Sequence, residues 1–255
     1  MRQRFLKSGW QSLVAILIFV LLWEISVRIF AVEEWLLPAP SVIVLELFTV
    51  WPTFYPHLIS TLILTMIGFT IGASVGLIVA MILHLSSRMR KTFYPFLILS
   101  QNIPIIVLAP LLVIWFGFGA MPKLIIITMA CFFPIAISTL SGLQQTNRDL
   151  TFYMQMMGAS KSQMFWKLEL PDAVPTIFSG LKIAATYSVM AAVVSEWLGA
   201  QKGIGVFMTL ATSSYKTSRV FVAIIITMLL SLVFFSMILL LEKLFKRWQQ
   251  KGGAS

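Results

Sequence analysis

Six long apolar runs divide the chain, at Trp10–Ile29, Leu58–Leu83, Phe93–Phe118, Pro122–Leu143, Ile177–Leu198 and Val220–Leu241, with most polar and charged residues in the segments between them. Each run has about the 20 residues that a helix needs to cross a hydrocarbon core. Lipid offers no partner to an unpaired N–H or C=O, so runs of this kind read as helices. The pattern predicts an all-α polytopic membrane protein with six transmembrane helices and both termini on one side. Pro104, Pro110 and Pro134 fall inside the third and fourth spans. A proline removes an N–H and crowds the preceding turn, so kinks are expected there, facing protein or a water-filled path.

Composition agrees. Hydrophobic residues are 59% of the chain and charged residues 11%, against roughly 45–50% and about 25% in soluble domains. Lys and Arg then set the orientation, because cytoplasmic segments are enriched in them. With the N-terminus inside, fourteen of the 19 fall on the inner side: Arg2, Arg4, Lys7, Arg88, Arg90, Lys91, Arg148, Lys161, Lys167, Lys182, Lys243, Lys246, Arg247 and Lys251. Arg28, Lys123, Lys202, Lys216 and Arg219 fall outside. The net charge of +10 is thus a topological bias. No basic stripe with interleaved aromatics points to nucleic acid as a partner. The first run continues through Trp23 to Arg28-Ile29-Phe30 and lacks a small-residue cleavage site, so it is expected to be a retained span and not a signal peptide.

Little in the chain can do covalent chemistry. Cys131 is the only cysteine, so no internal disulfide or cysteine-based metal site can form. His57 and His84 lie at opposite ends of the second span, too far apart for a metal pair. No G-x-x-x-x-G-K-[ST] loop is present to cradle a triphosphate, and Gly199–Gly203 lacks the spacing. An intramembrane enzyme would need a nucleophile with its base or clustered ligands. An ion-coupled secondary transporter, the alternative among carriers, would need intramembrane acids and often internal repeats. Neither pattern is convincing here.

The main polar interruption runs from Asp149 to Ala184. Its first part, Asp149–Met157, reads as a short helix stopped by Gly158. Ser160 and Gln163 then fit a capping box that starts a second helix, whose apolar residues Met164, Phe165, Trp166 and Leu168 lead to Pro171. Met154, Met156 and Met157 offer a soft surface suited to a groove on another protein. An amphipathic hairpin resting on lipid is the competing reading.

Gly158, nine residues, then Leu168-Glu169-Leu170-Pro171 resembles the cytoplasmic signature of ATP-binding-cassette (ABC) importer permeases: Glu-Ala-Ala, three residues, Gly, nine residues, Ile-x-Leu-Pro. The acidic triplet is replaced by Phe152-Tyr153-Met154. Leu37-Pro38-Ala39-Pro40-Ser41, Gln101-Asn102-Ile103-Pro104, Ala109-Pro110-Leu111, Trp115–Gly119, Phe132-Phe133-Pro134 and Ser195–Ala200 look like the permeases for taurine, alkanesulfonates, nitrate and thiamine pyrimidine precursors. The resemblance implies a type I ABC importer (MetI-like) permease fold in a bacterial cytoplasmic membrane. It also implies a non-catalytic subunit without cofactor, a permease homodimer, a separate ABC ATP-binding subunit and an extracytoplasmic solute-binding protein. On this reading 1–57 is a transmembrane helix with an extracytoplasmic connection. Residues 58–255 are the permease core, with the coupling loop at 147–175. The loop residues carried over as the ATPase contact are Met154, Met157, Gly158, Ala159, Ser160, Leu170 and Pro171.

Three residues are candidates for the solute path. Glu196 stands near the outer end of the fifth span, where an ionised carboxylate in the bilayer would cost about 2.5–3.5 kcal/mol and so faces water or protein. An interfacial position beside a Trp197 belt anchor is the alternative. Gln101 and Asn102 flank a proline break, which suits a cavity wall or helix packing. Glu24 has Arg28 at i,i+4 as its expected partner. Gly68, Gly72 and Gly76 recur on one helix face and predict close helix packing.

Overall fold

The computed structural model describes the backbone of residues 2–252 and the side chains of residues 10–246. The side chains of Arg2, Arg4, Lys7, Arg247 and Lys251, used above for orientation, lie outside the described ones. The described elements are all helical: α1 (Arg2–Ile29), α2 (Pro40–Leu85), α3 (Ser87–Gln101), α4 (Ile105–Phe116), α5 (Ala120–Gln144), α6 (Arg148–Met156), α7 (Lys161–Met164), a π-helical turn at Phe165–Glu169, α8 (Leu170–Glu196), α9 (Ile204–Ser213) and α10 (Thr217–Gly252).

Five segments are long and apolar enough to cross a membrane: Trp10–Ile29, Pro40–Leu85, Ala120–Gln144, Lys161–Glu196 and Thr217–Lys246. The third expected span is broken instead, with α3 and α4 meeting at 97°. Contacts show that this pair still makes one crossing. α3 starts beside the end of α2, whereas Phe118, just past α4, lies against Gly199 beyond the far end of α8. Six crossings result. Pro104 explains the break: it cannot donate a helical N–H, and the chain turns at Asn102. Asn102 Nδ2 donates to the Ile98 carbonyl (2.7 Å) and the Ile103 N–H to Ser100 (3.2 Å), which satisfies the carbonyls freed there. Pro110 and Pro134 sit inside unbroken α4 and α5.

The second span departs from expectation at its start. α2 begins at Pro40 and not at Leu58, so the connection placed before residue 58 is largely helical. Pro52 and Pro56 are tolerated on its exposed side. On the opposite side Ile43, Val50 and Phe54 are buried against α9 and α10, and this packing overrides the local breakers. At about 1.5 Å per residue the 46 residues of α2 reach about 70 Å, so the helix projects well beyond a hydrocarbon core of about 30 Å.

The centre is a close stack of α2, α5 and α8. Added Cβ atoms would lie 2.5 Å from Ile127 Cγ2 at Gly68 and 2.7 Å from Cys131 Cβ at Gly72. At Gly76 the Ile135 side chain would be 3.1 Å away. The glycine ladder therefore packs helices, in the small-residue manner of membrane interiors. Gly142 and Gly180 do the same between α5 and α8, against Thr176 and Ser138. α2 and α5 run parallel, and α8 runs antiparallel to both. α10 returns along α8, with Ala185 and Val189 against Phe234 and Ile238. The starts of α2 and α5 share one face with α9; their ends share the other with α6. α1 reaches the α9 face beside the start of α2, where Glu24 meets Ser41, and α10 runs toward the α6 face, where Glu242 meets Lys182.

Candidate coupling face and translocation cavity

On the α6 face the chain builds a helix, a turn and a helix. Asn147 Oδ1 accepts from the Asp149 N–H (2.8 Å) and opens α6. Gly158 closes it at φ +78°, with the Gly158 N–H on Gln155 (3.0 Å) and the Ala159 N–H on Met154 (3.0 Å). That is the paired hydrogen bonding of a left-handed glycine cap. Ser160 and Gln163 then exchange bonds as a capping box, with Ser160 N–H to Gln163 Oε1 at 2.8 Å and Gln163 N–H to Ser160 Oγ at 3.2 Å. No α6 residue is buried, and Phe152, Tyr153, Met156 and Met157 stand exposed.

The base of this loop is held firmly. The Leu170 N–H reaches back to the Phe165 carbonyl, an i→i+5 bond that widens the turn. Pro171 has no N–H for the Lys167 carbonyl and its ring crowds it, which favours the extra residue. Phe165 is buried between Leu143 of α5 and Ala173 of α8, with its ring 6.1 Å from that of His84. His84 Nε2 lies 2.7 Å from Glu169 Oε2. An exposed crown thus stands on a base joined to α2, α5 and α8.

A cavity of about 490 Å³ opens at the α3–α4 break. Gln101, Pro104, Phe133, Pro134, Tyr187 and Met190 are among its walls, and among the described residues no Lys, Arg, Asp or Glu lines it. Its polar side chains, Gln101 and Tyr187, are neutral, and most of the remaining lining is aliphatic.

On the α9 face, Glu196 is only 1% exposed. Its carboxylate accepts from Thr61 Oγ1 (2.7 Å) and from the Gly205 N–H (2.8 Å), while the Ile204 N–H donates to Thr61 Oγ1 (2.8 Å). These are the orphan donors of the first turn of α9, where a negative charge also meets the positive end of the helix dipole. The Gly203 N–H donates to His57 Nδ1 (3.1 Å), which ties the same start to α2. Gly203 is at φ +141°, and a Cβ there would fall 2.1 Å from Glu196 Cδ. Glu24 acts similarly at α2: besides Arg28 (2.7 Å), it accepts from the Ser41 N–H (3.0 Å).

Residues 72–247 match the family described as binding-protein-dependent transport system inner membrane component. The chain belongs to that family. The permease is 35% identical over 250 residues to the formylaminopyrimidine transport permease protein ThiX of Halalkalibacterium halodurans, covering 96% of this chain and all of that one. It is 28% identical to the riboflavin transport system permease protein RibX of Chloroflexus aurantiacus, over 95% of this chain and 92% of the relative. The taurine transport system permease protein TauC of Escherichia coli is 26% identical over 83% of this chain and 79% of its own. A crystal structure of an amino acid ABC transporter with histidines superposes with a TM-score of 0.62 at 21% identity, over 80% of this chain and 97% of that one. The fold is therefore the MetI-like permease fold, and the chain is an ABC importer permease of the thiamine-precursor, sulfonate and taurine group.

Within the permease, the residues singled out from sequence separate. Met157, Gly158 and Ser160 are exposed on the crown; Met154 and Ala159 are half-buried around a hollow of about 290 Å³ shared with Gln163 and Lys167. Leu170 and Pro171 belong to the base. Gln101 lines the large cavity, but Asn102 turns back to cap α3. Glu196, named as a path candidate, stands at the start of α9, where it accepts from the Gly205 N–H and Thr61 Oγ1. Tyr187 was missed. Its spacing with Met190, Ala191 and Val194, all on the cavity wall, is the one-face pattern of a helix and was the available signal.

Proposed function

We propose that this permease is the membrane subunit of an ATP-driven importer in a bacterial cytoplasmic membrane, with the α6 face cytoplasmic. The observation that carries the reading is the α6–Gly158–α7 crown, exposed and rigidly capped above a base packed into three membrane-crossing helices. A separate ABC ATP-binding subunit docks on Met154, Met157, Gly158, Ala159 and Ser160 and supplies the hydrolysis that this chain has no phosphate loop to perform. When nucleotide closes the ATPases, the crown follows them. Phe165 and the His84–Glu169 pair pass the displacement to α2, α5 and α8, and the cavity beside Gln101 turns from one face to the other.

Two copies of the permease form the pathway, and an extracytoplasmic solute-binding protein delivers ligand to the α9 face. The orientation rests on the excess of Lys and Arg in the segments on the α6 face. The solute is a small, uncharged heteroaromatic of the pyrimidine-precursor type. The cavity is lined mainly by aliphatic side chains, with Gln101 and Tyr187 as neutral polar groups and Phe133 beside them, and the full-length similarity to a formylaminopyrimidine permease supports the same choice over a sulfonate, taurine or nitrate.

Proteoliposomes holding the permease with its co-purified ATP-binding subunit and binding protein test this. Uptake of a labelled aminopyrimidine is expected to require ATP and to survive an ionophore. Gln101→Leu should raise the half-saturating concentration while assembly persists. Uptake driven by an ion gradient without ATP would overturn the importer reading; uptake of taurine in place of the pyrimidine would overturn the solute class.

A further inference from the structure

Beside the loop lies a polar groove of about 520 Å³ on the same face. Its walls include His84 at the end of α2, Arg90 in the first turn of α3, Gln144 at the end of α5, and Arg148 and Phe152 of α6. Charge in the groove is one-sided. Its single lining carboxylate, Glu169, is engaged by His84 at 2.7 Å. Neither the Arg90 nor the Arg148 guanidinium has a hydrogen bond or ion pair among the described residues. Arg90 is half-buried along the groove wall.

Resting on the importer reading above, we propose that this groove is the electrostatic part of the docking surface and receives an acidic side chain of the ATP-binding subunit. Arg148 projects from the same nine-residue helix as the exposed Phe152, Tyr153 and Met156. An apolar centre edged by arginine is the usual anatomy of a protein interface. Two guanidinium forks facing one groove match a carboxylate better than they match open water. Phe152 at the lip adds no charge and Glu169 is already engaged, so the attraction runs from permease cation to partner anion.

The test compares Arg90→Glu/Arg148→Glu, Arg90→Lys/Arg148→Lys and Lys123→Glu, the last changing charge on the opposite face. Each permease is purified with its ATP-binding subunit, and the retained subunit is measured against NaCl concentration, in detergent and in nanodiscs of phosphatidylcholine alone. Wild-type retention should fall as salt rises, and the double reversal should hold at least about tenfold less subunit, since like charges across an interface are strongly disfavoured. The lysine pair and Lys123→Glu should stay near wild type. Reversing one acidic residue of the partner's loop-binding cleft should restore the double reversal. Full retention by the double reversal would overturn the proposal, as would an effect seen only when anionic phosphatidylglycerol is present, which would assign the groove to a lipid headgroup. Absence of any ATP-binding subunit on the wild-type permease would instead overturn the importer reading itself.

Discussion

His84 and Glu169 meet at 2.7 Å, and through them the end of α2 is fastened to the π-helical turn beneath the exposed loop. Both side chains are mostly buried, at 13% and 19% exposure, and His84 Nδ1 has no hydrogen-bond partner among the described residues. The pair's position gives it a role in the proposed coupling, because it joins the base of the crown to the helix that carries the glycine ladder. His84→Ala is expected to leave the ATP-binding subunit bound while lowering solute moved per ATP by roughly 2–30-fold, the range that a coupling contribution of about 0.5–2 kcal/mol allows. Uptake and hydrolysis measured in the same proteoliposomes decide it; an unchanged ratio would remove the pair from the transmission.

Gly158→Val isolates backbone conformation from packing. A Cβ at Gly158 meets nothing within 4 Å, so no clash arises. The φ of +78° is nonetheless one that a β-branched residue adopts only at a cost of about 1–2 kcal/mol or more. The cap between α6 and α7 should deform and hydrolysis should lose its link to uptake, with the spans intact by limited proteolysis. Gly158→Asn, which tolerates the left-handed region, should be milder. Normal uptake by the valine variant would take the loop out of the mechanism.

Glu196 offers the sharpest division between a structural and a path role. Truncation to alanine leaves the Gly205 N–H without its acceptor in a buried site, at about 1–3 kcal/mol for each unsatisfied group, and thermal unfolding in detergent should shift downward. Glu196→Gln keeps an acceptor oxygen near the start of α9, so uptake should remain close to wild type. A glutamine variant of normal stability that fails to transport would return Glu196 to the path.

Gly72→Leu tests the helix stack. Thr128 O, a backbone atom that cannot swing aside, would lie 2.8 Å from the new Cβ. α2 and α5 must separate, with an expected loss of about 1–3 kcal/mol and a lower melting temperature in detergent. Unchanged melting would mean that the parallel α2–α5 contact does not hold the molecule together.

What the chain determined alone is what local chemistry controls. Apolar run length marked the crossings, since lipid demands helices of a set length. Gly158 and the Ser160–Gln163 box were legible because caps are decided within a few residues, and the Gly68–Gly76 ladder because its period is that of a helix. The long-range features were not legible in this way. Pro40–His57 carries three prolines and reads as a connection, yet burial of Ile43, Val50 and Phe54 against α9 and α10 makes it helix. The right-angled turn at Asn102 and Tyr187 on the cavity wall depend on which helices meet. Glu196 belongs to the start of α9 because the donors that capture its charge, Thr61 and Gly205, are brought there only when α2, α8 and α9 pack, and a buried carboxylate goes where such donors converge.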